Sequence, residues 1–197
     1  MHVSNLLICI ELYTRASQLG APTYTLGNPG PGGTVFYLDA TNQHGLVEAP
    51  SSFDQSLNWS TATTPPLTNA TSNGMFSGKT NTALINALDP SASAAAYCSH
   101  LCITTSGSAC PATDSLGTQP PSSYGDWYLP SISELQQMDF VTYLNQQYWS
   151  SSEYSQTTVW GNNIGGFRGN SMAGPVIAVH YFVKNSDTLM TRCVRSF

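Results

Sequence analysis

The sequence predicts an α+β fold of short antiparallel strands, a few helices and long ordered loops. Three observations carry this expectation. Short runs rich in β-branched and aromatic residues, such as Thr34 to Leu38 and Val176 to Val183, are bounded by Gly, Asn and Ser. Ser131 with Glu134 three positions later is a capping-box pattern that opens a helix. Only 9% of the residues are charged, well below the usual quarter, and Ser, Thr, Asn, Gly and Pro fill the surface instead. A chain of 197 residues is one domain, or one domain with an appendage, and is long enough to bury a substantial core.

The first element is the appendage. Val3, Leu6, Ile10 and Tyr13 fall at heptad a and d spacing, Ser17 continues the series, and Leu7 and Leu12 widen the stripe. Gly20 and Pro22 end it. A lone helix of this length is marginal in water. Residues 1–22 are therefore expected to form an amphipathic helix that self-associates, as a short trimeric bundle, or docks on its own domain, 23–197. Val3 to Ile10 is short for a signal peptide and has no Lys or Arg before it. Met1 reads as an added start on a mature fragment.

Gly27 to Gly33 contains two Gly-X-Y triplets, too few for a triple helix. It leads into a strand at Thr34 to Leu38, a turn at Thr41 to Gly45, and a returning strand at Leu46 to Ala49, a first hairpin. Ser51 to Ser77 reads as loop, with Trp59 and Phe76 as its anchors. Asn58-Trp59-Ser60 and Asn69-Ala70-Thr71 match the glycosylation sequon. Thr80 or Asn81 caps a helix through Ala83, Leu84, Ile85 and Leu88, ended by Pro90; Ser91 or Ser93 starts another through Cys98. Thr104 to Ser123 is again polar loop.

Asp126 to Leu129 then reads as a strand stopped by Pro130, followed by the Ser131 helix with Ile132, Leu135, Met138 and Val141 or Tyr143 inward. Strands follow at Gln147 to Ser151, Thr158 to Trp160 and Val176 to Val183. Asn185 to Asp187 turns the chain, and Leu189 to Phe197 is expected to return as the antiparallel partner of the preceding strand, with Phe197 buried.

Several function classes are disfavoured. A net charge of −5 opposes generic nucleic-acid binding, which needs a basic field. There is no run of ~18 apolar residues, so no membrane span is expected. Cys98, Cys102 and Cys110 do not have zinc-site spacing. Together with Cys193 they favour an oxidised compartment and disulfides. Cys102 with Cys110 and Cys98 with Cys193 is the preferred pairing of the three that are open; Cys9 is left over. Gly169-Asn170-Ser171-Met172-Ala173 is one residue from a nucleophile elbow, but no strand-elbow-helix is expected around it. His44, His100 and His180 have no dyad or metal spacing. Glu153 and Asp126 form a carboxylate pair only if folding joins them. Neither the loop pattern nor the acidic cluster of a calcium-dependent sugar lectin is visible. The expectation is no catalytic residue, no metal and no cofactor.

Five segments occur in a telling order: Gly32-Gly33-Thr34-Val35-Phe36-Tyr37, His44-Gly45-Leu46-Val47, Asp126 to Glu134-Leu135, Tyr148-Trp149-Ser150-Ser151 with Glu153-Tyr154, and Arg192-Cys193-Val194-Arg195. Over about residues 27–197 the chain resembles the bacterial family of domains of unknown function numbered 1566, surface-protein domains related to C-type-lectin-like folds. The helix before the domain and the cysteine-bearing close are most similar to heads that follow collagen-like repeats in bacterial adhesins. The resemblance implies a secreted or cell-surface homotrimer. It also implies binding to sulfated glycosaminoglycans, such as heparin or chondroitin sulfate, in attachment and biofilm formation. The motifs themselves look structural and transfer no binding site. The alternative is a structural trimerisation head for a collagen-like stalk.

Sulfate recognition needs cations, and the whole inventory is Arg15, Lys79, Arg168, Lys184, Arg192 and Arg195. Arg168, Lys184 and Arg192, with Lys79 fourth, are the candidate ligand-binding residues. Against this, Arg192 or Arg195 could form an internal ion pair, with Asp126 or Glu134 as partner. Six cations against eleven acids make no strong field in one copy, so threefold assembly would have to gather the patch.

Overall fold

In the computed structural model, residues 23–111, 122–163 and 178–197 are described. The expected N-terminal helix, Cys9, Arg15, Arg168, the near-elbow at 169–173 and the strand start at Val176 lie outside them.

The first hairpin forms where the alternation of Thr34 to Leu38 meets that of Leu46 to Glu48. Strands β1 (Pro29–Gly30), β2 (Gly33–Leu38) and β3 (Gly45–Glu48) lie side by side. Gly33 is required by close approach, because a Cβ there would collide with the Glu48 carbonyl. β11 (Val194–Ser196) completes an antiparallel sheet in the order β1-β2-β3-β11. The backbone of Phe197 exchanges hydrogen bonds with Gly45, and its ring meets Tyr24 edge-on at 4.6 Å. This pins a C-terminus that is half-buried rather than fully interior.

The closing segment does not fold back on the strand before it. β10 (Leu189–Thr191) pairs with β4 (Gln55–Leu57), and β11 pairs with β3. The Leu189 to Phe197 stretch thus ties the early chain to the late chain instead of extending one hairpin. A third sheet holds β7 (Trp149–Glu153), β8 (Thr158–Asn163) and β9 (Ala178–Val183) in that order. In it Trp160 lies opposite Tyr181, and Val159 opposite Phe182. A small ladder joins β5 (Ile103–Thr104) to β6 (Ser123–Tyr124).

Three helices are present among the described residues: α1 (Gly78–Leu88), α2 (Ala94–His100) and α3 (Ile132–Thr142). α1 starts two residues before the expected caps and presents Gly78, Asn81, Thr82 and Ile85 inward, leaving Leu84 and Leu88 exposed. Gly78 sits hard against Leu129, Ser131 and Glu134, where a side chain would not fit. That close packing sets the helix start and overrides the Leu pattern. α3 is the helix the capping box announces. The Ser131 hydroxyl accepts from Glu134 N at 3.2 Å, and the Glu134 carboxylate accepts from Ser131 N at 2.7 Å. Ile132, Leu135 and Met138 are buried, as expected, whereas Tyr143 is an exposed left-handed C-cap.

Asp126 to Leu129 is extended but not a strand. Only Tyr128 bridges, exchanging both backbone hydrogen bonds with Val194 at 2.8 and 2.9 Å. The core has two clusters, one around Trp59, Ile85, Leu129 and Trp149, the other around Phe36, Leu46, Leu135, Met138 and Tyr148. Trp59 anchors its loop as expected, with its indole donating to Ser150 O at 3.0 Å. Phe76 does not: it is exposed, at positive φ, edge-on to Tyr37 at 5.6 Å. Both disulfides are those preferred from the sequence, Cys98–Cys193 and Cys102–Cys110. No described helix is long and apolar enough to cross a membrane.

Candidate functional site

Two of the charged candidates, Lys184 and Arg192, are held in internal ion pairs. Lys184 follows β9 on the same side of the strand as buried Phe182, and its side chain is fully buried. Its ammonium donates to the Glu153 carboxylate and to Pro66 O at 3.3 Å, and sits 4.6 Å from the Trp59 ring centroid. Glu153 also accepts from Thr68 N at 3.0 Å and Asn69 N at 2.7 Å. Burial pushes the Lys184 pKa down, while Glu153 opposes that shift. This pair fastens the loop after β4 to the end of the β7-β8-β9 sheet.

Arg192 is likewise held inside. Its Nε and Nη2 donate to the two Asp54 oxygens at 2.9 and 2.6 Å, Nη1 donates to Glu48 at 2.9 Å, and Nη2 also meets the Tyr148 hydroxyl at 3.0 Å. Burial works against the charged guanidinium, but Asp54 and Glu48 outweigh it and raise its pKa. Burial lifts the Glu48 carboxyl above its ordinary value, with Arg192 pulling the other way. Arg195 pairs with Asp126 at 2.6 Å, as one sequence reading allowed, and lies over Tyr124 at 4.5 Å. Glu153 and Asp126 therefore each serve a cation of their own.

The expected basic patch is corrected accordingly. Lys184 and Arg192 are interior, so neither presents its charge to a polyanion. Lys79 is exposed on the first turn of α1, and Arg168 lies outside the described residues, on the segment that links β8 to β9. The described candidates do not converge on one surface. No group of three or more metal-ligating side chains occurs among the described residues.

The outer face of the β7-β8-β9 sheet carries a different feature. Tyr154 and Tyr181 are 56% and 50% exposed and stack at 5.2 Å with an interplanar angle of 12°. Trp160 meets Tyr154 edge-on at 4.9 Å and Tyr181 at 6.1 Å, and His180 stacks on Tyr181 at 5.2 Å. Val179 and Val183 flank Tyr181 on the same face and are also exposed. No known protein family matches this chain, and no curated protein matches it either. The aromatic tier therefore stands on its geometry alone. Its rings are fixed against one another, so a ligand that stacks on them orders little new side chain. Sequence reading missed it because Trp160 and Tyr181 are 21 positions apart and meet only through the β8-β9 register. The usable signal was one large aromatic in each of two adjoining strands, Trp160 in β8 and Tyr181 in β9.

Proposed function

We propose that this chain is a secreted or cell-surface adhesin domain, C-type-lectin-like in fold and trimeric in assembly, that binds sulfated glycosaminoglycans. The observation that carries the reading is the pair of exposed, stacked rings of Tyr154 and Tyr181, backed by a partly buried Trp160. An aromatic face that is apolar yet rimmed by hydroxyl and indole groups suits the C–H faces and hydroxyls of sugar rings. Sulfate contacts then fall to Lys79 and Arg168, each copied by assembly, because Lys184 and Arg192 are spent internally. Two disulfides support an oxidising compartment.

The test is heparin and chondroitin sulfate binding across a salt series, with solution mass measured alongside. Binding should weaken with salt, as exposed charges are screened beyond a Debye length of ~8 Å at physiological ionic strength. It should also weaken in Tyr154→Ala with Tyr181→Ala and in Lys79→Ala with Arg168→Ala. Unchanged binding in both double variants would overturn the assignment. Absence of glycan binding by a trimer that still registers a collagen-like stalk would leave a structural head.

A further inference from the structure

A cavity lies beside the Arg192 network and shares no lining residue with the aromatic tier. It measures about 320 Å³ and is lined by Glu48, Arg192, Ser51, Thr142, Tyr143 and Asn145, among others. Its size suits a ligand of about one sugar ring, at the low end of ordinary binding pockets. The charge on its floor is unbalanced. Arg192 spends Nε, Nη1 and Nη2 on Asp54, Glu48 and Tyr148. Two carboxylates, Glu48 and Asp54, thus share one guanidinium, and both are largely withdrawn from water. Paired with Arg192 though each is, the two carboxylates carry one negative charge more than the guanidinium balances, and a cation delivered to Glu48 would offset it. An anion would meet a guanidinium with four of its five N–H groups already committed, beside a carboxylate in excess.

The rim adds the second half of a recognition site. Tyr143, the left-handed C-cap of α3, is 67% exposed and lines the same cavity. An aromatic ring beside a carboxylate attracts an ammonium through its quadrupole and through Coulomb attraction together. Ser51 and Asn145 supply hydroxyl and amide groups for a polyol ring, whereas the Thr142 hydroxyl already donates to Met138 O at 2.9 Å. Burial raises the Glu48 carboxyl above its ordinary pKa, with Arg192 and the Thr142 hydroxyl pulling the other way and Asp54 adding to the rise.

We infer that this cavity binds a small primary-ammonium ligand of the amino-sugar class, its ammonium against Glu48 and Tyr143. The site is independent of the proposed glycosaminoglycan surface.

The probe is glucosamine, with glucose and N-acetylglucosamine as neutral counterparts of the same ring, titrated by calorimetry and by chemical-shift mapping. Saturable binding at one site per chain is expected, at least tenfold tighter for glucosamine than for either neutral sugar. Shifts should centre on Glu48, Thr142 and Tyr143. Glu48→Gln should weaken it at least tenfold, and Tyr143→Asn, which suits the left-handed backbone, about threefold or more. Equal affinity for all three sugars overturns the inference, as do shifts confined to Tyr154, Trp160 and Tyr181. If Glu48→Gln does not fold, Tyr143→Asn decides: unchanged glucosamine affinity in that variant rules the site out.

Discussion

The ammonium of Lys184 ends on the carboxylate of Glu153 with both side chains wholly buried. The pair spans β8, because Glu153 closes β7 and Lys184 follows β9. Removing one member leaves the other charged and sealed from water. Lys184→Met is therefore expected to cost about 3–5 kcal/mol of stability, read from the denaturant midpoint. Adding Glu153→Gln should recover part of that loss, since Gln keeps an acceptor for Thr68 N and Asn69 N. A Lys184→Met variant as stable as the parent would show that the pair does not form. It also follows that loss of polysaccharide binding in a Lys184 variant reports folding, not contact.

The aromatic tier makes the opposite prediction. Tyr181 is half exposed, so Tyr181→Ala should leave stability within about 1 kcal/mol. It should weaken polysaccharide binding about five- to tenfold, the equivalent of ~1–1.4 kcal/mol. Paired melting curves and affinity measurements separate the two effects. A large fall in melting temperature with no change in affinity would make the tier a structural cluster.

Glu134 is buried with no cation beside it among the described residues, and burial pushes its pKa up to about 7 against backbone donors at Ser131 and Phe76 and the Tyr128 hydroxyl. A carboxyl whose pKa is raised on folding stabilises the fold most when protonated. Its contribution is complete below its ordinary pKa of 4.5 and is lost as pH rises through about 7. The span corresponds to roughly 3 kcal/mol at most. Glu48, raised in the same direction by burial, adds to the trend. Denaturation midpoints should accordingly fall between mildly acidic and mildly alkaline pH, and Glu134→Gln should flatten that slope. A slope unaltered by the substitution would assign it elsewhere.

The two disulfides should differ in worth. Cys98–Cys193 closes 95 residues of chain and Cys102–Cys110 only 8. Loop-closure entropy gives about 4–5 kcal/mol for the first and about 2–3 for the second. Cys98→Ser with Cys193→Ser should thus lower the denaturation midpoint well beyond Cys102→Ser with Cys110→Ser. Equal losses would show that chain entropy is not what they contribute.

Features legible in the sequence are those set by neighbours along the chain. The Ser131 and Glu134 capping box needs only three positions of separation, and it forms as read. The hairpin of β2 and β3 follows from alternation and one glycine-bounded turn, and the α+β class follows from such elements together. The helix start at Gly78 was not legible, because close packing against Leu129 and Glu134 decides it.

The cations show where local reading ends. Alternation puts Phe182 and Lys184 on one side of a strand and Val179, Tyr181 and Val183 on the other, but not which side is interior. That choice depends on partners 31 residues away for Lys184 and 144 for Arg192. The sequence by itself determined the local elements, the low charge and the stock of cysteines. Only the tertiary structure decided that two of the candidate cations are sealed against carboxylates while Tyr154 and Tyr181 face water. The reason is that burial and charge pairing are properties of segments brought together in space, and no spacing along the chain encodes them.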